Sequence, residues 1–517
     1  MYHINKKTNE LLNICINNFN QNNLSKDYGS FDRSYWNYRT IDFSSGMSQT
    51  NFYAFALAYK VKFMGNIFYK NEKVKKWILA GIQNTIKITN KNGSLDDYFP
   101  YEQAVGATTF TFISLIKTIE LLSLNKQKYK TYIKKCAKFI AFSNESGIIS
   151  NHKAAEILSL TMYRKLFSDN SFIKQEKYKI SQLIQNYNQE GWFEEYGGCD
   201  LGYHTVTLSR LMDIYELTKS KKILNYCKNM TKFSINFLNP DFTYGGHYSS
   251  RGTSICFIDG FAKISKFSKE AYIFVDSINN QIRKNILPLY NDDKTSIHHC
   301  ISYLETIKLL KNKKIKFKKK YNVTNIISKE GISRIKKNKF NLIFSIKKGG
   351  SFKLFKGNKL IDQDSSILLK YKNNYYLSCF QNDLVDINCD KNFIEIKKFF
   401  SKFKEQRMNS FKLILLRLLM NTFGKFIPNI VRKIMQKILV YNNSHVEDLY
   451  LKRKIFFYKS SIKIEDKISK KVDYFKIQKP INPSHVVMSN VFKYSDIQEF
   501  NKKKYTKTNN SLIRSYS

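Results

Sequence analysis

A tyrosine and a histidine stand side by side in the stretch from Glu190 to Leu211, which is the part of the sequence richest in residues that could do chemistry. A histidine can donate or accept a proton near neutral pH, and a tyrosine hydroxyl can take part in proton transfer. Apolar residues recur at helical spacing from Thr205 onward, which predicts that Tyr203 and His204 lie in the first turn of a helix. The competing interpretation is a packed loop whose aromatic residues cover a helix end.

Similar loops return along the first part of the chain, beginning at Gly29, Gly93, Gly147, Gly191 and Asp241. Apolar periodicity predicts helices between them, over about 49–70, 73–91, 103–123, 127–143, 152–168, 172–188, 203–219, 221–237, 253–268, 270–285 and 296–311. Two helices per repeat indicate stacked helical hairpins, whose equivalent loops lie on one face. A closed (α/α) toroid would gather these loops around a central cleft, whereas an open solenoid would place them along a groove.

The second part of the chain has a different pattern. After the lysine-rich run 311–320, apolar and polar residues alternate, as in FNLIFSIKK and FIEIKKFF, which predicts a mostly antiparallel β-sandwich over 321–517. The expected fold class is therefore multidomain, α then β: an N-terminal segment over 1–45, an (α/α) toroid over 46–312, and the β-sandwich.

One segment interrupts the strand pattern. Residues 410–440 predict two short, basic and very apolar helices, divided near Gly424 and Pro428. Such helices can lie on a membrane surface, and they can equally cap a sheet or dock on the helical domain. We expect docking, because covering an exposed sheet edge or face is the commoner need. Peripheral membrane contact through 410–440 is the alternative.

The composition constrains the partner and the compartment. The chain has 517 residues and a net charge of +46. Heavy use of Lys, Asn and Ile is typical of an A/T-rich genome, which raises the number of lysines without selection for function. The resulting charge would also attract an acidic polysaccharide. The lysines are spread along the chain without a nucleic-acid-binding motif, so no nucleic-acid partner is expected. The sequence lacks a signal-peptide pattern and a long apolar run, so we expect a cytoplasmic protein, with a periplasmic or membrane-peripheral location as the alternative.

No metal or other cofactor is expected. His298, His299 and Cys300 are consecutive, and consecutive helical residues point in different directions, so they are poor co-ligands. His445 and His485 in the second part are accompanied by no carboxylate pattern. The eight cysteines are scattered and contain no CxxC, which is typical of reduced structural thiols.

The order of the loop motifs resembles that of the heparinase II/III-like and alginate-lyase-like polysaccharide lyases. The motifs are GSLDDYFPYEQAVGATTF, ISNHKAAEILSL, GWFEEYGGCDLGYHTVTLSRL and YGGHYSSRGTS. An Asn-His pair on one loop and Gly-Tyr-His on a later loop are similar to that family, in which a helical toroid precedes a β-sandwich. The motifs also look like the branch often found with surface-polysaccharide biosynthesis.

The resemblance implies β-elimination of a uronic-acid-containing polysaccharide or oligosaccharide. The proton beside the uronate carboxylate is very weakly acidic, so donors must take up charge on the carboxylate as the enolate-like intermediate forms. Asn151 and His152 match these donors, although Asn151 could instead be the N-cap of a helix that begins at His152. Tyr203, helped by His204, matches the residue that moves protons.

A tyrosine has a reference pKa near 10, which is too high for a base at neutral pH. Tyr203 would therefore need nearby positive charge to lower its pKa, and we expect this charge from His204, His247 or Arg251. Arg251 could also pair bidentately with the substrate carboxylate. The alternative for Arg251 is a salt bridge with Asp200 or Glu195 that anchors its loop.

The remaining candidates are substrate contacts. Glu102 and Gln103 would face the same cleft, and Trp192 could stack on a sugar ring, although aromatic residues at such junctions more often belong to the core. Tyr196 or Tyr244 could bind substrate or take the place of the catalytic tyrosine. A second functional hypothesis is a catalytically inactive glycan-binding or polysaccharide-assembly protein that keeps the same cleft.

Overall fold

The computed structural model describes residues 1–145, 147–288, 292–310, 323–380, 385–390, 392–403, 409–431, 434, 445–478, 491–497 and 505–517. The lysine-rich run 311–320, His485 and most of 432–440 lie outside the described residues. Within them, helices occupy the first part of the chain and antiparallel strands the second.

Most of the described helices lie at predicted windows. They are α1 (Tyr2–Asn17), α2 (Arg33–Trp36), α3 (Asn51–Lys60), α4 (Glu72–Ile88), α5 (Val105–Leu122), α6 (Lys130–Phe142), α7 (Ser150–Phe167), α8 (Ile173–Gln185), α9 (Leu201–Thr218), α10 (Lys221–Asn236), α11 (Asp259–Ile264), α12 (Tyr272–Arg283), α13 (Thr295–Leu310) and α14 (Ser410–Leu419). Each predicted window from 49 to 311 overlaps one of α3 to α13, whereas α1 and α2 precede the first window.

Among the described helices, six contact one another in a closed cycle. Their order around the cycle is α3, α5, α7, α9, α11 and α13, and α13 contacts α3 again. The other long helices of the first part lie outside this cycle, for example α4 on α3, α6 on α7 and α10 on α9. Helices α5 and α7 are buried almost all round, whereas α4 and α10 bury one face, as expected of inner and outer helices.

Helix α1 was not predicted from the sequence. Its buried residues Ile4, Leu11, Leu12 and Cys15 lie on one face, and the helix packs on α12 and α13. Helix α5 is the one described helix with the length and composition of a membrane span, and 78% of the apolar stretch is buried inside the protein.

The repeated loops use their first glycines in the same way. Gly93 has φ +93°, and an added Cβ would lie 2.6 Å from the backbone oxygen of Lys135 on α6. Gly191 has φ +102°, and an added Cβ would lie 2.9 Å from the backbone oxygen of Asn229 on α10. Only glycine fits both the left-handed conformation and the close approach, which explains the glycine that opens these two loops.

The strands follow helix α13, apart from a short hairpin between α8 and α9. They are β1 (Tyr187–Asn188), β2 (Trp192–Phe193), β3 (Ser333–Lys337), β4 (Phe340–Ser345), β5 (Ser351–Lys356), β6 (Lys359–Asp364), β7 (Ser366–Tyr371), β8 (Asn374–Leu377), β9 (Val385–Cys389), β10 (Phe393–Lys402), β11 (His445–Phe457), β12 (Ile462–Ile468), β13 (Tyr474–Gln478), β14 (Tyr505–Lys507) and β15 (Ser511–Tyr516).

The strands of the second part form two antiparallel sheets. The smaller has the order β3-β4-β5-β6, and the larger has the order β13-β7-β8-β10-β11-β12-β15-β14, with β9 also paired to β10. Leu342 and Leu354 of the smaller sheet share one hydrophobic cluster with Ile396 and Ile455 of the larger sheet. The alternating pattern of the sequence therefore buries one face of each sheet in a common core.

The second part also contacts the helices. The Lys348 ammonium donates to the backbone oxygens of His247 (2.6 Å) and Ser249 (2.9 Å). Arg334 donates to the backbone oxygen of Leu238 at 2.9 Å. These buried cations hold the loop around residue 247 against the smaller sheet.

A network of buried charges joins the larger sheet to Asp364, at the end of β6 in the smaller sheet. Arg514 on β15 binds Asp364 (2.9 Å) and Asp466 (2.5 Å), and Arg453 on β11 binds the same two carboxylates at 2.7 and 2.6 Å. All four side chains are almost fully buried. Removal of one partner would leave an uncompensated charge in the interior, which is strongly destabilising.

We therefore expect Arg514→Met to lower the free energy of unfolding by about 3–5 kcal/mol. The matched control is Lys463→Met on β12, because the Lys463–Glu465 pair is partly exposed and should contribute at most about 1 kcal/mol. Chemical denaturation followed by circular dichroism measures both variants. Equal effects of the two substitutions would contradict the importance of the buried network.

Candidate active site

A cavity of about 580 Å³ opens where α5, α7 and α9 begin and continues between the inner helices. The predicted residues that line it are Glu102, Asn151, His152, Tyr196 and Tyr203. The cavity therefore brings together side chains from three of the repeated loops, as the sequence predicted for loops that lie on one face.

Asn151 and Glu195 join two successive loops. The carboxyl of Glu195 accepts from the backbone N–H of Asn151 at 3.1 Å and from its side-chain amide at 2.9 Å. The backbone adds an antiparallel bridge between Ile149 and Glu195. The alternative interpretation of Asn151 as an N-cap is wrong, because α7 begins at Ser150 and its N-cap is Ile149.

The carboxyl of Glu195 lies in an almost fully buried position. Burial raises its pKa to about 8, against the opposing effects of the Asn151 hydrogen bonds and of the positive charge on His152. At neutral pH this carboxyl is therefore mostly uncharged. It ties the two loops together without adding negative charge to the wall of the cavity.

His152 is paired with Glu145. The two side chains approach to 2.8 Å through Nδ1 of the histidine. Burial lowers the pKa of His152, but the hydrogen bond and charge of Glu145, with smaller contributions from Glu195 and Glu156, raise it above its usual value. The ring lies against Gly106 on α5, where an added Cβ would come within 2.6 Å of the imidazole. Glycine at this position therefore makes room for the imidazole in the cavity.

Tyr203 lies in the first turn of α9, as predicted. Asp200 caps this helix by accepting from the backbone N–H of Tyr203 at 2.9 Å. Burial raises the pKa of the phenol well above 10, and the charges of Tyr196 and Asp200 raise it further. The prediction that neighbouring positive charge lowers this pKa is wrong, so the phenol is neutral around pH 7.

His204 points away from the cavity. Its Nε2–H donates to the backbone oxygen of Met230 on α10 at 3.1 Å, and its ring packs on Phe233. Burial lowers its pKa to about 4. A neutral, buried imidazole on the outer side of α9 cannot supply the positive charge that the sequence analysis assigned to it.

His247 and Arg251 lie behind the cavity wall. His247 is buried beside Lys348 and Lys353. Burial lowers its pKa well below the usual value, and the charges of these lysines lower it further. The backbone N–H of Arg251 donates to Asp200 at 3.0 Å, and its guanidinium lies 3.7 Å from the centre of the Tyr196 ring. Arg251 therefore supports Tyr196, which lines the cavity, and does not line it itself.

The other predicted substrate contacts also divide into residues that line the cavity and residues that do not. Glu102 lines the cavity and accepts from the backbone N–H of Tyr98 at 2.7 Å. Gln103 accepts from Asn92 at 2.8 Å outside the cavity. Trp192 is buried and donates to Glu190, and Tyr244 is buried against Phe274. Trp192 and Tyr244 therefore belong to the core, which is the competing interpretation of such aromatics.

Sequence reasoning missed the deep end of the cavity. Lys117 on α5 and Glu305 on α13 line it, and Lys117 binds Glu305 at 3.4 Å and Asp213 at 2.8 Å. Lys263 binds Asp213 at 2.6 Å from the other side. Burial alone would raise the pKa of Asp213, but the two lysines hold it below its usual range. These charges sit in the middle of inner helices, where their spacing resembles that of an ordinary amphipathic face.

His298 is a further cavity residue that the sequence did not single out as a substrate contact. It lines the cavity from α13, whereas the adjacent His299 stacks on Phe257 at 4.5 Å. Burial lowers the pKa of His298 to about 4, with a smaller contribution from the charge of Arg210. Among the described residues, no group of three or more His, Cys, Asp or Glu side chains is placed to hold a metal ion.

Helix α14 docks beside the mouth of the cavity. Met420 and Val431 pack with Phe99, and Arg417 binds Asp42 at 3.1 Å. Leu413 and Leu416 line the cavity itself. The expected docking of this segment on the helical part is thus observed for the described residues.

The fold is similar to that of polysaccharide lyases. The chondroitin AC lyase of Streptomyces coelicolor A3, solved with chondroitin sulphate, matches with a TM-score of 0.50 and 9% identity, over 82% of this chain and 62% of that one. A heparan sulfate lyase mutant from Pedobacter heparinus (TM-score 0.44, 12% identity, 89% and 68%) and heparinase III (0.44, 10%, 90% and 75%) also match. No protein-family model and no curated protein matches the sequence. At 9% identity over less than two thirds of the chondroitin AC lyase, the likeness concerns the fold alone.

Substitution of Glu145 by Gln should lower the pKa of His152, because the charge and the charge-assisted hydrogen bond that favour the imidazolium are lost. Histidine ring signals followed by NMR during a pH titration measure this pKa. His204 is the control in the same spectra and should keep its pKa of about 4. An unchanged titration of His152 would show that Glu145 does not hold its proton.

The carboxyl of Glu195 should make the protein less stable as the pH rises from about 4.5 to about 8. In this window the folded chain keeps a proton that the unfolded chain releases, so unfolding is favoured progressively. Glu195→Gln has no proton to release, and its free energy of unfolding should fall less over the same window. Denaturant titrations at a series of pH values compare the two slopes. Identical slopes would contradict the raised pKa.

Proposed function

We propose that the protein is a polysaccharide lyase that cleaves a uronic-acid-containing polysaccharide or oligosaccharide by β-elimination. The observation that carries this proposal is the placement of Asn151, His152 and Tyr203 on one cavity wall. An amide and an imidazole can donate to the carboxylate of a sugar acid, and a phenol can transfer protons beside it.

The proposed architecture is an (α/α) toroid domain over 46–312 followed by a β-sandwich domain over 321–517. The closed cycle of six described helices supports the toroid. The hydrophobic cluster shared by the two described sheets supports the sandwich.

In the proposed mechanism, His152 and Asn151 bind the uronate carboxylate. Glu145 raises the pKa of His152 and so favours its charged form, and Asn151 has a second amide N–H besides the one bound to Glu195. The uncharged state of Glu195 at neutral pH avoids repulsion of the incoming carboxylate. As the proton leaves the adjacent carbon, charge develops on the carboxylate and both donors bind it more strongly.

Tyr203 then transfers protons without first becoming a phenolate. Its oxygen takes the proton from the carbon beside the carboxylate while its own hydrogen passes to the glycosidic oxygen. The carbon–oxygen bond breaks and a carbon–carbon double bond forms, so the phenol is neutral before and after the step. A pKa well above 10 is compatible with this exchange, whereas a free phenolate base at neutral pH is not.

The charge of the whole chain favours an acidic ligand. Lys117, Arg210 and Lys294 line the cavity together with acidic residues, and the chain carries a net charge of +46. A strongly positive protein concentrates anions around itself and speeds their arrival.

A glycan-binding protein without turnover is the second candidate function. The raised pKa of Tyr203 favours it, because a phenol with so high a pKa supplies almost no phenolate to act as a base at neutral pH. Such a protein would keep the cavity and bind acidic glycans at the same wall.

Purified protein should release unsaturated products from at least one member of a panel of uronic-acid polymers, which ultraviolet absorbance detects. Tyr203→Phe should lower the rate by about 10²–10⁴-fold, since the proton-transfer group is lost while the ring remains. The matched control is Tyr196→Phe, on the same wall at a ring distance of 6.3 Å.

The two substitutions distinguish the assignments. A larger loss with Tyr196→Phe would move the catalytic role to Tyr196. Glycan binding without product, unchanged by Tyr203→Phe, would contradict the lyase and support the binding protein.

A further inference from the structure

The segment 409–431, called here the apolar segment, exposes a large hydrophobic surface. Phe411, Phe423 and Phe426 are 73%, 71% and 77% exposed. Ile414 and Leu418, one helical turn apart on α14, are each 59% exposed. Soluble monomers rarely leave apolar side chains of this size side by side in water, so a surface of this kind indicates an interaction site.

The opposite side of the apolar segment is fixed to the protein. Met420 and Val431 are buried against Phe99, and Arg417 binds Asp42 and lies over the ring of Phe43. The exposed side chains therefore project outward from an anchored element. They belong to the outer face of the segment, and Met420 and Val431 form its buried face.

The charges of this region have one sign. The ionisable residues in the sequence 409–440 are all basic: Lys412, Arg417, Lys425, Arg432, Lys433 and Lys437. Apolar and aromatic side chains next to basic ones, without acidic residues, are typical of elements that lie in the interface of an anionic membrane. A second copy of this chain would bring the same positive charges together, which opposes self-association through this surface.

We propose that the apolar segment binds the surface of an anionic lipid bilayer. The phenylalanine rings and aliphatic side chains enter the boundary between headgroups and acyl chains, and Lys412 and Lys425 contact the headgroups. The segment lies on the bilayer and does not cross it.

This contact sets the position of the cavity. Leu413 and Leu416 line the cavity from the same helix that exposes Phe411 and Ile414. The mouth therefore opens beside the lipid surface. The last step rests on the proposed function: the acidic glycan that enters the cavity is one held at that membrane.

The test is co-sedimentation of the full chain with vesicles of phosphatidylglycerol and phosphatidylcholine, in physiological salt. The double variant Ile414→Glu/Leu418→Glu should weaken binding by about tenfold or more, because two apolar contacts are lost and two like charges face the headgroups. The matched control is Met64→Glu/Ile67→Glu, which changes the net charge equally. Met64 and Ile67 are 52% and 76% exposed and follow the C-terminal end of α3. Asp42, which binds the apolar segment, precedes the N-terminal end of the same helix.

A second measurement locates the contact. The fluorescence that Phe426→Trp adds should be quenched by brominated lipids in anionic vesicles, and the fluorescence that Ile67→Trp adds should not. Equal loss of binding in both double variants would overturn the proposal, since the overall charge would then account for binding. Absence of vesicle binding, or self-association that the Ile414→Glu/Leu418→Glu variant abolishes, would overturn it in favour of a protein partner. None of these three results depends on lyase activity.

Discussion

The carboxyl of Glu195, held by the backbone and the side chain of Asn151, is the contact on which the candidate site depends. It joins the start of α7 to the loop before α9, across 44 positions of sequence. Asp200 continues the same connection by capping α9 at Tyr203 and binding the backbone of Arg251. Because these buried carboxyls bind backbone N–H groups, they fix where the first turns of two inner helices lie. His152 and Tyr203 are each set in one of those turns.

The same packing shifts the pKa of the titratable groups on the wall. Burial raises the pKa of Glu195 to about 8 and that of the Tyr203 phenol well above 10, and Glu145 raises the pKa of His152 against the effect of burial. Deeper in the cavity, the charge of Lys117 is balanced by Asp213 and Glu305. The apolar segment covers one side of the cavity through Leu413 and Leu416.

The sequence predicted the repeated loops, most of the helices and the position of Tyr203, because periodicity and loop glycines report local structure. It failed where side-chain direction decides the outcome. Consecutive helical residues diverge by about 100°, so His204 faces α10 when Tyr203 faces the cavity. The same rule directs His298 and His299 to different surroundings. Applied to Tyr203 and His204, it would have shown that the two side chains do not face the cavity together. Helix α1 was missed although Ile4, Leu11, Leu12 and Cys15 recur at helical spacing, because its many Asn and Lys residues give the segment a polar and mixed composition. The partner of His152 depends on a loop geometry that no local pattern encodes.

The central claim is that the wall formed by Asn151, His152 and Tyr203 binds a uronic acid with its reactive carbon facing the phenol. A crystal structure of the Tyr203→Phe protein with a uronic-acid oligosaccharide that it binds tests this claim most directly. The account predicts the sugar carboxylate within hydrogen-bonding distance of Asn151 and His152, and the adjacent carbon next to residue 203. A sugar bound outside the cavity, or a carboxylate held by Lys117 at its deep end, would contradict it.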